Sequence, residues 1–272
     1  MSNGQGEYRE LLAPVKAIAH EAGEAIMKCY EGHFCVEQKS DDSPVTEADY
    51  AAHHIIAAGL ARLTPEWPVL SEEGDDIPFQ QRRQWRRYWL VDPLDGTREF
   101  IKCNDEFTVN IALIEDHRPV LGMIQVPVTR ECYFAAAGGS AWYQAPGDEA
   151  LAIGVRPWDG GTITIAGSRS HRMPIFCAFL EFFDDYRVLS LGSSLKSCYV
   201  AQGRADIYAR FGPTSEWDTA AAQCVLEAAG GRLTDLELRP LRYNTKESLL
   251  NPPFFAFGDR RHDWRRYVPK QA

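Results

Sequence analysis

Trp89-Leu90-Val91-Asp92-Pro93-Leu94-Asp95-Gly96-Thr97 is the stretch on which the reading of this chain turns. Residues 88 to 91 form a short apolar run of the kind a buried strand needs, and Pro93 and Gly96 force the chain to turn immediately after it. Two carboxylates, Asp92 and Asp95, are thereby delivered to one point at a strand end. Oxygen donors of this kind suit Mg²⁺, which takes carboxylates, carbonyls and water in octahedral geometry. The N–H groups of Gly96 and Thr97 offer a cradle for a phosphate oxygen. A bare Asp-Pro-x-Asp-Gly run can also be a turn and nothing more. Thr97 and the acidic segments on either side of the motif favour the metal reading.

Upstream, residues 7 to 30 place Leu11, Val15, Ile18, Ala22 and Ile26 at helical spacing, and Pro14 predicts that the regular helix begins there. Residues 46 to 63 form a second helix, with Ala48, Ala52, Ile55, Ile56 and Leu63 inward. Downstream, strands are expected over 107–114, 120–128 and 131–136, joined by polar turns such as Glu115-Asp116-His117-Arg118. This part reads as helices against a mostly antiparallel sheet. Residues 144 to 161, rich in Gly, Pro and Asp, divide the chain into 1–150, carrying most of the acids, and 151–272. The second part alternates strands (162–166, 187–190, 206–209, 254–257) with helices (174–183, 193–202, 218–229). The expected fold is an α+β/α/β layered sandwich of alternating helix and sheet layers.

Composition sets outer bounds. The chain has 272 residues, 45% hydrophobic and 25% charged, which excludes disorder. A formal net charge of −9 makes nucleic acid a poor partner, since such binding draws on Lys and Arg stripes. Arg82, Arg83, Arg86 and Arg87 read as a solvated edge. The seven cysteines include no CxxC pair, which points to a reducing, cytoplasmic setting. No apolar run approaches the roughly 20 residues a membrane span needs. The reading therefore expects a soluble protein and leaves open its oligomeric state and peripheral contact with an inner membrane.

Asp92-Pro93-Leu94-Asp95-Gly96-Thr97 resembles the signature of the inositol monophosphatase-like superfamily, lithium-sensitive phosphatases whose fold is shared with fructose-1,6-bisphosphatase. Pro44-Val45-Thr46-Glu47-Ala48-Asp49, Ser71-Glu72-Glu73-Gly74 and Trp217-Asp218-Thr219-Ala220-Ala221 fit it in order and spacing. Gly192-Ser193-Ser194-Leu195-Lys196, Arg210-Phe211-Gly212-Pro213-Thr214 and residues 246 to 252 bring the likeness nearest to the CysQ-type 3′(2′),5′-bisphosphate nucleotidases. That resemblance implies a Mg²⁺-dependent enzyme with two or three ions per site, cleaving adenosine 3′,5′-bisphosphate, a by-product of sulfate activation, to AMP and phosphate.

Carried over residue by residue, the resemblance implies one metal held by Glu72, Asp92 and the Leu94 carbonyl, and a second among Asp92, Asp95 and Asp218. Asp49 and Thr97 would activate the attacking water, and Lys39 would match a basic family residue. Substrate would meet Glu72, Leu94, Asp95, Gly96, Thr97, His171, Ser193, Lys196, Arg210 and Asp218, with residues 167 to 171 forming part of the nucleotide pocket. Each residue also has a plainer use. Glu72 and Lys39 could be solvated loop residues, Asp218 a helix cap, Asp49 one half of a capping box, and Arg169 and His171 surface groups. The rival functions are an inositol- or sugar-phosphate phosphatase on the same scaffold, and a non-catalytic metal- or nucleotide-binding relative.

Overall fold

The computed structural model of the chain describes residues 3–32, 36–38, 44–168 and 174–270. The first half holds α1 (Asn3–Tyr30), β1 (Val36–Gln38), β2 (Pro44–Thr46), α2 (Glu47–Leu63), β3 (Val69–Ser71), α3 (Phe79–Arg82), β4 (Arg87–Asp95), α4 (Thr97–Ile101), β5 (Thr108–Glu115), β6 (Arg118–Gln125), β7 (Cys132–Ala136), β8 (Ala141–Gln144) and β9 (Leu151–Ile153). Then come β10 (Ile163–Ser168), α5 (Pro174–Leu180), β11 (Tyr186–Leu191), α6 (Leu195–Ala201), β12 (Ile207–Arg210), α7 (Glu216–Ala228), β13 (Arg232–Asp235), β14 (Phe254–Phe257) and a 3₁₀ turn over Trp264–Tyr267. Among the described residues, no helix is long and apolar enough to cross a membrane.

Strand parity builds the layers. In β4, Trp89 and Val91 face α1 and α2, while Tyr88 and Leu90 face the middle of the molecule; β5 repeats this with Ile111 and Leu113 against Ala112 and Ile114. Both faces are buried, so these strands are apolar without alternation. The sheet has seven strands in the order β3-β4-β5-β6-β7-β8-β9, antiparallel except for β3 beside β4. A five-stranded mixed sheet, β11-β10-β12-β14-β13, turns Ala166, Tyr208, Phe254 and Ala256 to the same middle layer. Its other face presents Ile163, Ile165, Ile207, Phe255 and Phe257 to α5 and Trp264. Helices α6 and α7 fill the middle. The result is the expected sandwich of alternating helix and sheet layers.

Three details depart from the sequence reading. Helix α1 runs through Pro14 to Asn3, since its buried face continues to Tyr8 and packing offsets the carbonyl bond that proline removes. The first sheet runs past residue 150 to Ile153 in β9 and the second begins at Ile163 in β10, while the middle core draws on both halves. Arg82 is buried at 2% exposure, unlike exposed Arg83 and Arg86, and leaves the solvated edge expected for that run.

Gly122 in β6 lies directly against α7: a Cβ there would stand 2.3 Å from the Ala221 carbonyl oxygen. Gly122→Ala should therefore destabilise the protein by about 1–3 kcal/mol, the usual cost of overpacking. Thermal or denaturant unfolding checks it, and a stability equal to wild type would contradict this packing.

Candidate active site

The strand end that carries Asp92 and Asp95 is built by a bulge. Asp92 pairs with Asn110, and Asp95 pairs with Thr108, so Pro93 and Leu94 of β4 stand opposite Val109 alone in β5. Residues three apart on a regular strand face opposite ways. The extra residue at Pro93-Leu94 restores parity and puts both carboxylates on the middle-layer side. Gly96 follows with φ of 97°, a left-handed turn that starts α4.

Three elements bring four acids to this point. Glu72 follows β3, and its N–H donates to the Val91 carbonyl at 3.1 Å. Asp92 is buried at 2% exposure, and one of its oxygens accepts the Leu94 N–H at 3.1 Å. Asp95 Oδ2 accepts from Asn110 Nδ2 at 3.2 Å and Ser194 Oγ at 2.9 Å. Asp218 stands in the first turn of α7, where Oδ2 accepts the Ser215 N–H at 3.0 Å. The helix begins earlier than the sequence reading had it, so the cap is Ser215 and Asp218 is the third-position half of its capping box, within the field of Asp95 and Glu72.

The electrostatics report the crowding. Burial raises the Asp92 carboxyl well above the usual range, and Glu72, Asp95, Asp218 and Asp49 push it further. Burial likewise raises Asp218 well above its ordinary value, helped by Asp95 and Glu72. Asp95 is raised by burial and held back by Lys196 and its two hydrogen bonds. An all-oxygen cluster whose members repel one another in a poorly hydrated place is suited to a hard divalent cation. Among the described residues, no three His, Cys, Asp or Glu groups close on one point as a ready-made cage. Repulsion acts over longer distances than coordination, so the acids share one field while standing apart.

Beside the acids lies a hydroxyl pair. Asp49 is buried at 2% exposure, and Oδ2 accepts from both the N–H and the Oγ1 of Thr46, at 2.7 and 2.6 Å. Its other oxygen accepts from Thr97 Oγ1 at 3.2 Å, and that hydroxyl is 3.4 Å from the Leu94 carbonyl. The capping box expected from Thr46-Glu47-Ala48-Asp49 is present, and it aims the spare oxygen at Thr97.

A cleft opens over Asp95, Gly96, Ser193, Lys196, Arg210 and Asp218. Lys196 is buried at 6% exposure; its Nζ donates to the Leu191 carbonyl at 3.3 Å and lies 5.4 Å from the Tyr208 ring centre. Burial lowers its pKa to about 8, against an upward pull from Asp95. Arg210 donates to the carbonyls of Gly212 and Pro213, at 3.2 and 2.9 Å, which fixes its fork at the rim. Ser193 has φ of 44° and a buried Oγ with no hydrogen-bond partner among the described residues. Glu72, Asp92, Leu94, Asp49 and Thr97 do not line this cleft. Lys39, Arg169, Ser170 and His171 lie outside the described residues.

The sequence reading gave no role to Asn110 or Ser194, which together hold Asp95, and the Ser194 hydroxyl also lies 2.9 Å from the Asp218 carbonyl. Asn110 carried a signal, as the one polar side chain inside Val109 to Ile114. It also missed Glu106, whose carboxylate accepts the Gly192 N–H at 2.8 Å and steadies the turn that carries Ser193.

The chain is similar to known proteins over most of its length. The chain is 49% identical over 246 residues to the 3′(2′),5′-bisphosphate nucleotidase CysQ of Salmonella typhimurium, covering 90% of this chain and 98% of that one. It is 48% identical over the same length to the protein of that name from Escherichia coli K12, with the same coverage. The crystal structure of CysQ from Bacteroides thetaiotaomicron, a bacterial member of the inositol monophosphatase family, superposes with a TM-score of 0.79. Its identity is 38%, over 94% of this chain and 98% of that one. The family is one of metal-dependent phosphatases. With the family model matching residues 7–263, this chain belongs to the inositol monophosphatase family.

Proposed function

We propose that this chain is a Mg²⁺-dependent 3′(2′),5′-bisphosphate nucleotidase that hydrolyses adenosine 3′,5′-bisphosphate to AMP and phosphate. The observation that carries the reading is the polarity of one cleft, with Asp95 and Asp218 on its wall and the cations Lys196 and Arg210 beside them. A substrate with two phosphates matches that pattern: one phosphate goes to the acids through metal, the other to the cations. The curated relatives' names support the same substrate class.

In this reading Glu72, Asp92 and the Leu94 carbonyl would hold one Mg²⁺, and Asp92, Asp95 and Asp218 a second, with two or three ions per site. Bound Mg²⁺ supplies Lewis-acid polarisation of the phosphoryl oxygens and neutralises charge that develops in transfer. Asp49, through Thr97 Oγ1, orients the attacking water and takes up its proton. Water's oxygen joins phosphorus as the bond from phosphorus to the 3′-oxygen breaks, and the 3′-oxygen takes a proton from solvent and leaves as the hydroxyl of AMP. Gly96 and Ser193 offer polar contacts to the phosphates, and His171 is assigned to the nucleotide side. Arg210 grips phosphate with its planar fork, while Lys196 acts as a point charge. The free Cys29, Cys103, Cys132, Cys177, Cys198 and Cys224 accord with a cytoplasmic location.

Phosphate release with Mg²⁺ on adenosine 3′,5′-bisphosphate, AMP, inositol 1-phosphate and fructose 1,6-bisphosphate tests the function. The first should have the highest kcat/KM. Preference for the inositol ester would overturn the nucleotidase reading in favour of a phosphatase of sugar or inositol esters.

The pH dependence of that preference tests Lys196 separately. Its amine is cationic below about pH 8 and loses the proton as pH rises through that value. A profile of kcat/KM reports groups of the free enzyme. The ratio of adenosine 3′,5′-bisphosphate to inositol 1-phosphate should therefore hold below pH 8 and fall above it. A hydrogen bond to a charged group is worth about 1.5–3 kcal/mol, so the fall should be roughly ten- to a hundred-fold. Lys196→Met should have the low ratio throughout and no break. A break that persists in Lys196→Met would remove this lysine from selectivity.

A further inference from the structure

Arg82, Asn244 and Glu216 are buried at 2%, 1% and 0% exposure, and together they join the two halves of the chain. Arg82 ends α3, ten residues beyond Glu72. Its Nη1 donates to Asn244 Oδ1 at 2.5 Å and to the Lys246 carbonyl at 3.2 Å, and Nη2 donates to the Glu247 carbonyl. Asn244 answers with Nδ2, which donates to the Arg82 carbonyl at 2.6 Å, while its own N–H donates to Glu216 Oε2 at 2.7 Å. Glu216 opens α7, two residues before Asp218. The same strap runs on: the Leu249 carbonyl accepts the Glu216 N–H at 2.8 Å, and Asn251 Nδ2 donates to the Ser215 carbonyl at 2.6 Å.

Holding a fold together with buried charge is inefficient, because well-packed apolar groups of equal volume are often as stable or more so. Arg82 Nε and Glu216 Oε1 even lack hydrogen-bond partners among the described residues. What hydrogen bonds supply and apolar contacts do not is direction. This network ties the segment after Glu72 to the turn that presents Asp218.

We propose that the Arg82–Asn244–Glu216 network is a positioning device that sets Asp218 against Glu72 and Asp92, and so governs metal affinity from outside the metal site. The inference rests on the assignment of those three acids as Mg²⁺ ligands. Partners that orient metal ligands without touching the ion typically change affinity by about 10–100-fold when removed.

The test is calorimetric titration of Mg²⁺ into substrate-free full-length protein, for wild type, Arg82→Met, Asn244→Gly and Asp218→Asn. Asn244 has φ of 55°, which glycine adopts without strain, so Asn244→Gly removes the amide and keeps the N–H that meets Glu216. Arg82→Met and Asn244→Gly should each weaken Mg²⁺ binding about ten-fold or more, with kcat at saturating Mg²⁺ and KM for substrate near wild type. If Arg82→Met does not fold, Asn244→Gly decides alone. Wild-type Mg²⁺ affinity in Asn244→Gly, beside weakened affinity in Asp218→Asn, would make the network a structural tie only. Unchanged affinity in Asp218→Asn would instead overturn the ligand assignment and the positioning role with it.

Discussion

Asp95→Asn is expected to abolish phosphate release while leaving the metal-stripped protein at least as heat-stable as wild type. The substitution keeps the shape, and the new side-chain oxygen can still accept from Asn110 and Ser194, the two bonds that hold Asp95. What it removes is a negative charge that now raises the carboxyls of Asp92 and Asp218. Without metal, that removal relieves repulsion among buried acids, so stability should not fall. With Mg²⁺ the same charge is what holds the cation. Losing several kcal/mol of transition-state stabilisation corresponds to roughly 10³-fold in kcat. Melting curves in chelator and in Mg²⁺, beside steady-state rates, separate the two effects. Wild-type kcat at saturating Mg²⁺ would end the assignment of Asp95 to the metal site.

Removing the hydroxyl pair should look different. Thr97→Ala and Asp49→Asn are expected to lower kcat by about 10²–10⁴-fold, the usual contribution of positioned proton transfer, with Mg²⁺ affinity largely kept. The double variant should lose much less than the product of the two single losses, because Thr97 Oγ1 donates to the Asp49 carboxylate and the two groups act on the water as one unit. Asp49→Asn carries a second cost. Its other oxygen accepts twice from Thr46 at the start of α2, and an amide nitrogen there would face two donors. Loss of such a cap costs about 1 kcal/mol of stability, which unfolding measurements read apart from rate. Full multiplicativity of the two losses, or an effect confined to KM, would refute a shared role in water activation.

Local chemistry made much of this molecule readable. Helix α2 was legible from Thr46 onward because its cap and apolar spacing are both local signals, and β4 because an apolar run ends at Pro93. β8, β9 and β13 were not, being three or four residues long and set among Gly, Pro and charged residues that read equally well as loop. Helix α1 misled at Pro14, since a proline's cost is local while the packing that outweighs it comes from the sheet beneath.

The acids themselves were fixed by residue type and spacing along the chain. Their common direction was not, because it depends on one extra residue in β4 opposite Asn110 and Thr108, a property of a strand pair. Distance along the chain hid the rest. Ser194 reaches Asp95 across 99 residues, and Arg82 reaches Asn244 across 162. A lone arginine in a basic run is indistinguishable from solvated neighbours until the fold closes over it. The sequence by itself determined the family, the layered fold and the kinds of groups at the site. Which of those groups share a field, which steady one another and which buried charge links the two halves were decided by tertiary structure, because hydrogen bonds and desolvation act through space and leave no mark on local spacing.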